Sequence, residues 1–527
     1  MGGLRCAPLT RALVAVALCG LVSSSIAAES VGGAALSEGP GRSLLAAAAT
    51  KAAARASGNG FDYGQVLGLS YLFYEAQRSG KLPGDQRVKW RGDSALQDKG
   101  PEGQDLTGGY YDAADYVKFH MPLAFTVSML AITLIEFPKG VADAGQTGHA
   151  YQALRWGSDY LLKSVLGNDR IVGQVGEGKA DHNFWRRAED VKETRKASVC
   201  DPSKPGSDVA GAMAGALAAT AVAFKGRDAG YAAQCTAKAK TLYNFANKYR
   251  GFYHEKCAPD AANFYASKSY NDDLAWAALW LKRATGDWKY VEEAKKHYEA
   301  HKQKDNFNAW PSRKYGFFWD TYSPGVALML MQETGGQEYR DHWNGFKEVW
   351  TSMKGNEHVN FSPKGYAWYI KDLGWGNLRH NGNAQLLALW GAKGEGGGER
   401  ERLTCWAHGQ MHYMLGEGGR SYVVGYGSNP PVRPHHRGAS CPNAPAGCDY
   451  RMFTLPGPNP RTITGALVGG PDPSDIYKDE RTDARNNEVA IDYNSGFTGA
   501  LAGLKQAGVD YDWCKSKGMR REKKGRR

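Results

Sequence analysis

Two aspartates three residues apart stand in a loop rich in glycine and tyrosine, Gly108-Gly109-Tyr110-Tyr111-Asp112-Ala113-Ala114-Asp115-Tyr116. Such a pair can hold one water molecule, one carboxylate orienting it while the other takes its proton. Close carboxylates also raise one another's proton affinity. A turn or a helix cap would account for the same residues, since Asp favours both. A second stretch, Tyr477-Lys478-Asp479-Glu480-Arg481-Thr482-Asp483, leads to Asn487-Glu488 at the start of an apolar run read as a helix. Glu488 there either complements the helix dipole or, if desolvated, keeps its proton near neutrality and acts as a general acid. A third segment runs from Ser421 through Pro430-Pro431 to His435-His436-Arg437-Gly438. Its Arg and His suit sugar hydroxyls. Adjacent histidines in an extended chain point to opposite sides, so at most one faces a given site. A metal would need more ligands at suitable spacing, and none is expected.

The elements that must position these groups are helical. Apolar residues recur at helical spacing near 66–79, 122–136, 147–165, 207–225, 229–248, 270–285, 287–302, 321–333, 340–353, 379–392, 402–416 and 488–505. That makes about a dozen helices, with Ser421–Val424 one short strand candidate, so the expected fold class is all-α. No Pro/Gly/Ser linker divides Phe61 from Ala507, which gives one catalytic domain over 58–513. Long loops between the helices carry the candidate chemistry.

Arg5 and Arg11 precede an apolar stretch from Ala12 to Val22 and the small residues Ser25-Ile26-Ala27-Ala28. Residues 1–28 therefore read as a signal peptide and the protein as secreted; 29–57 form an Ala/Gly/Ser-rich leader and 514–527 a basic tail. The tail's eight Lys/Arg against one Glu account for +7 of the formal +12 charge. A basic end of this kind does not indicate nucleic acid, and no nucleic-acid partner is expected. No apolar run of membrane length is read in the chain, so no stable membrane insertion is expected. The 15 Trp, 28 Tyr and 17 Phe supply flat rings of the kind that stack on sugars, although tryptophans mostly fill cores. Secretion permits disulfides. Seven cysteines follow the signal peptide, so at least one is left over from intramolecular pairing; Cys441 and Cys448, flanking a short loop, are the first candidate pair.

In order and spacing these segments, with Trp90-Arg91-Gly92-Asp93-Ser94, Asp181-His182-Asn183-Phe184-Trp185, Pro205-Gly206-Ser207-Asp208 and Trp375-Gly376-Asn377-Leu378-Arg379, resemble glycoside hydrolase family 9, the endoglucanase family, over residues 58–513. The resemblance implies an (α/α)6 barrel with an open cleft and hydrolysis of β-1,4-glucosidic bonds in a glucan polysaccharide or oligosaccharide, with inversion. It implies Asp115 as general base, Asp112 as its partner in holding water, and Glu488 as general acid. Asp479 and His435 fall on signature positions of the family and are counted with the catalytic set. His182, Trp185, Trp319, Trp375, Arg437 and Tyr493 match substrate-binding positions. A monomer without cofactor is expected; calcium is a structural ion in some relatives, but no loop here is specific enough to assign it. The sequence departs from the family pattern at Ala114, where glycine is usual, at Ala484, where an aromatic is usual, and at Ala212-Met213, His120, His412 and Lys364. The first two give a rival reading, a glycan-binding or wall-associated protein with little or no turnover.

Overall fold

The structure, a computed structural model, describes residues 60–305, 311–370 and 374–517. The expected signal peptide and leader lie outside those residues. Twelve helices of at least twelve residues appear among them: α1 (Tyr63–Ala76), α2 (His120–Glu136), α3 (Thr147–Lys163), α4 (Ser207–Phe224), α5 (Ala229–Lys248), α6 (Asn271–Thr285), α7 (Lys289–Lys304), α8 (Ser323–Thr334), α9 (Gln337–Thr351), α10 (Asn377–Ala392), α11 (Gly397–Leu415) and α12 (Ile491–Ala507). They form an (α/α)6 barrel in which every second helix is internal.

The two kinds of helix differ in residue pattern for a physical reason. In α5, α7 and α9 the buried residues fall on one stripe, for example Tyr290, Val291, Ala294, His297, Tyr298 and His301 of α7. In α2 and α10 nearly every residue is buried. A helix apolar on one side covers a core, whereas one buried all round lies inside it. The inner helix α2 packs on α4 and α12, α4 on α6, α6 on α8, and α10 on α12, while α3, α5, α7, α9 and α11 each back the inner helix that precedes or follows them. Close approach requires small residues: a Cβ on Gly496 of α12 would stand 2.1 Å from Asn383 Oδ1 of α10. Trp276 and Trp280 of α6 meet Trp390 of α10 at centroid distances of 6.4 and 6.1 Å.

Helix α4 corrects one expectation. Its eighteen residues reach the length and apolar character of a membrane span, with a mean hydropathy of 1.4, yet 89% of it is buried by the rest of the protein. Its apolar surface is used in the core.

The strands were not foreseen. β1 (Lys118–Phe119), β2 (Val165–Gly167), β3 (Arg170–Val175) and β4 (Ala197–Cys200) make an antiparallel sheet in which β3 pairs with all three others, and β5 (Val359–Phe361) pairs with β6 (Ala367–Tyr369). The expected strand Ser421–Val424 is absent: Val423 makes one isolated bridge to Leu467, and Gly425 and Gly427 at φ of 75° and 77° turn the chain away. Disulfides join Cys200–Cys257, Cys405–Cys514 and the anticipated pair Cys441–Cys448, leaving Cys235 as a buried thiol. Cys514, assigned above to the basic tail, instead sits on a helix, Tyr511–Ser516, stapled to α11.

Candidate active site

Buried polar residues gather at one end of the barrel, the N-terminal ends of its inner helices. Asp208 opens α4, Asp272 and Asp273 open α6, Asp320 precedes α8, Arg379 lies in the first turn of α10, and Asp492 lies in that of α12. Unsatisfied N–H groups and the positive end of the dipole favour carboxylates there. Asp112 and Asp115 reach the same end on the loop before α2.

That loop is held from several sides. Asp112 N–H donates to Val117 O at 3.1 Å, and Ile491 N–H at the start of α12 donates to Asp112 O at 2.9 Å. Gln77 Nε2 donates to Ala113 O at 2.8 Å, while its Oε1 accepts from His436 Nε2 at 2.9 Å. The two adjacent histidines thus divide their work: His436 braces the aspartate loop from behind and His435 turns toward the site. Ala114 does not occupy the left-handed region, so alanine stands in for the usual glycine without strain.

Asp112 Oδ2 accepts from the Tyr265 hydroxyl, and Oδ1 accepts no hydrogen bond from the described residues. Burial, followed by repulsion from Asp115 and Asp492, raises the proton affinity of Asp112 well above the usual range. Burial and the neighbouring Asp181 push Asp115 up to about 6, against the pull of His182 and Arg437. Val117 N–H steadies Asp115 Oδ1 at 3.2 Å.

Glu488 does not sit at the start of a helix as expected. It follows the short helix Ala484–Asn487 in extended backbone, and α12 begins only at Ile491, with Asp492 as its first-turn acid. Part of the Glu488 side chain stays open to solvent while protein crowds the rest. Burial first, then Asp115, raises it to about 8, with the Ala114 N–H and Arg437 acting the other way. Its backbone lies beside His435 in a parallel bridge, and Gly469 N–H donates to its carbonyl at 2.9 Å.

His435 Nδ1 faces Arg481 O at 2.7 Å. A carbonyl only accepts, so Nδ1 carries the proton; burial lowers the ring to about 4, which leaves Nε2 an acceptor near neutrality. Arg437 pairs with Asp181, whose Oδ2 also accepts from Tyr116 N–H at 3.4 Å. His182 is exposed, its Nδ1 bound to Gly178 O at 2.6 Å and its ring stacked 5.2 Å from Phe264. Trp319 meets Tyr265 edge-on at 5.0 Å, and Arg379 lies 5.2 Å over Tyr493 while pairing with Asp492 at 3.1 Å. Trp375, 44% exposed, borders the same group through its carbonyl, which accepts from Arg379.

Two expected residues have other surroundings. Asp479 accepts from the N–H groups of Val432 and Arg433 at 2.7 and 3.0 Å; it anchors the strand of chain leading to His435 and does not join the gathered carboxylates. Trp185 is only 4% exposed, donates to Ser440 Oγ at 2.8 Å, and backs His435 edge-on at 5.4 Å, so it supports the site more than it offers a face. Conversely Tyr265, Gln77 and Asp181 touch the aspartate loop or its neighbours without having been singled out as site residues. Asp181 and Gln77 lie in segments that share the family pattern and so carried a signal; Tyr265 carried none.

Among the described residues two groups bring three potential ligand atoms within 4.8 Å of one another, Asp115–Asp181–His182 and Asp272–His301–Asp305. In the first, the Arg437 guanidinium already neutralises Asp181.

The sequence pattern of Glycosyl hydrolase family 9 matches residues 63–501. Endoglucanase B of Cellulomonas fimi is 42% identical over 469 residues, spanning 88% of this chain and 43% of its own length; the chain thus covers less than half of that relative. A solved endoglucanase from the termite Nasutitermes takasagoensis superposes with a TM-score of 0.79 at 45% identity, over 85% of this chain and 100% of its own. Endoglucanase CelQ of Clostridium thermocellum, solved with cellotetraose, gives 0.75 at 32% identity, over 86% and 72%.

Proposed function

The chain belongs to glycosyl hydrolase family 9, and from that premise we propose that it is an endoglucanase that hydrolyses β-1,4-glucosidic bonds with inversion of configuration. The observation that carries the reading is that carboxylates crowded by protein meet at this end of the barrel with different proton affinities, Glu488 near 8 and Asp115 near 6. Between those values the first holds a proton and the second does not, which is what acid and base in one step require.

Glu488 donates its proton to the leaving glycosidic oxygen as the bond to the anomeric carbon breaks. Asp115 accepts a proton from the attacking water on the opposite face of the sugar. Asp112, its Oδ2 fixed by Tyr265, offers Oδ1 to the same water. The new bond to oxygen forms opposite the broken one, and the anomeric centre inverts. His435 Nε2 and His182 flank the sugar at the cleaved bond, with Arg437 held behind them on Asp181, and Trp319 and Trp375 line the approach, with Tyr493 packed beneath. The relatives' printed names, endoglucanases among them one solved with cellotetraose, support a β-glucan oligosaccharide or polysaccharide as substrate. Three disulfides and the N-terminal reading support an extracellular setting. The rival reading, binding without turnover, loses one of its two supports because Ala114 needs no glycine conformation; Ala484 remains the other.

Incubation with carboxymethylcellulose and with mixed-linkage β-1,3/1,4-glucan, scored by new reducing ends, tests the proposal. Wild type releases ends and Glu488→Gln loses at least a hundredfold in rate, the lower bound of a missing general acid, about 10²–10⁴. No release by folded wild type from either glucan contradicts it.

A further inference from the structure

Beside Trp185, which is 4% exposed, stand two open rings: Tyr450 at 47% and Phe184 at 51%. Tyr450 tilts against Trp185 with centroids 5.9 Å apart, and its hydroxyl donates to His182 O. Trp185 in turn backs His435, whose backbone runs beside Glu488. Tyr450 therefore adjoins the site through the Trp185 ring and the His182 carbonyl, with its own ring half open to solvent.

The loop that carries Tyr450 is fixed. The Cys441–Cys448 bridge ends two residues before Tyr450. Arg187 donates to Ala446 O at 2.6 Å, Arg461 to Pro442 O at 3.0 Å, and Arg481 to Met452 O and Leu455 O at 2.7 and 2.8 Å. Single exposed aromatics are ordinary on a protein surface. An exposed ring on a segment beside a disulfide and held by three buried or half-buried guanidinium groups, adjoining a catalytic cleft, is a different case. It presents an apolar face with little motion left to lose on binding, the condition under which stacking yields affinity.

We propose that the segment just after the Cys441–Cys448 bridge carries an additional sugar-binding subsite, with the Tyr450 ring as the platform for a glucose unit remote from the cleaved bond. The inference rests on the glucanase reading above and adds to it a cause of chain-length preference. Its ligand is the apolar face of a β-linked glucose ring, met by C–H groups on the aromatic cloud.

The test compares kcat/KM on four-unit and six-unit β-1,4-glucan oligosaccharides for wild type, Tyr450→Ala and Tyr450→Phe, with circular dichroism and thermal melts of each. The ratio of the six-unit to the four-unit value is expected to fall about tenfold in Tyr450→Ala, the size of one stacking contact. Tyr450→Phe, which keeps the ring and loses the bond to His182 O, is expected to hold the wild-type ratio. A loss in Tyr450→Ala equal on both lengths, or a ratio that falls equally in both variants, overturns the subsite, because Tyr450 would then act through His182. Wild type that cleaves neither oligosaccharide overturns the glucanase reading itself, and the subsite with it.

Discussion

Three carboxylates of ordinary chemistry acquire different duties from their surroundings. Burial raises both Asp115 and Glu488 and Arg437 pulls both down, but Asp115 has His182 beside it as well and is held at about 6, while Glu488 rises to about 8. In the proposed mechanism the base must be ionised, so kcat/KM falls as pH drops below about 6; the acid must be protonated, so it falls again above about 8. A pH–rate profile of wild type is expected to show both limbs, and Asp181→Asn to move the acidic limb to lower pH, since that substitution removes a carboxylate raising Asp115. An acidic limb that stays in place in the variant would contradict this assignment. The main carboxylates, His435 and Arg437 were legible as motifs because each lies in a short segment of distinctive composition. Tyr265 was not, because it meets the aspartate loop only after folding brings distant segments together.

The element that matters most is the loop from Leu106 to Phe119. Beneath it Asp98 binds two buried cations, Lys118 at 2.7 Å and Arg195 through two nitrogens, and Arg195 also donates to Tyr116 O, one residue past the base. Lys118 Nζ donates to Leu106 O and Gly108 O at 2.6 and 3.1 Å. Arg195→Met removes its bonds to Asp98 and to Tyr116 O while Lys118 still neutralises Asp98, a loss of about 1.5–3 kcal/mol in stability. Urea unfolding is expected to show a lower midpoint at unchanged slope; a midpoint within experimental error of wild type would refute a clamping role. Helical periodicity located all twelve long helices, since one-sided and all-round apolar patterns both repeat visibly. The strands escaped notice because they are two to six residues long, too short for alternation to register, and Ser421–Val424 alternates without a partner to pair along its length.

For the molecule as a whole, the barrel concentrates unfavourable groups at its working end, and stability there is traded for chemistry. Glu488, with an ordinary value of 4.5, is raised to about 8 in the folded state. Below 4.5 both folded and unfolded states hold the proton, and the group has no effect. As pH rises toward 8 the unfolded state loses its proton while the folded state keeps it, so stability is progressively lost. Glu488→Gln, which cannot ionise, is therefore expected to melt near wild type at pH 4 and several degrees higher at pH 8; a difference independent of pH would contradict the buried-acid account. The barrel itself was legible from helix number and family pattern. The use of α4 inside the core was not, since membrane spans and central helices share one composition.

The central claim, that water held by Asp112 and Asp115 attacks opposite a bond protonated by Glu488, is tested most directly by proton NMR of a β-1,4-glucan oligosaccharide during its first seconds of cleavage. The α-anomer of the new reducing end is expected to appear first and to mutarotate afterwards. The β-anomer appearing first would mean retention, and with it a covalent step that contradicts this mechanism.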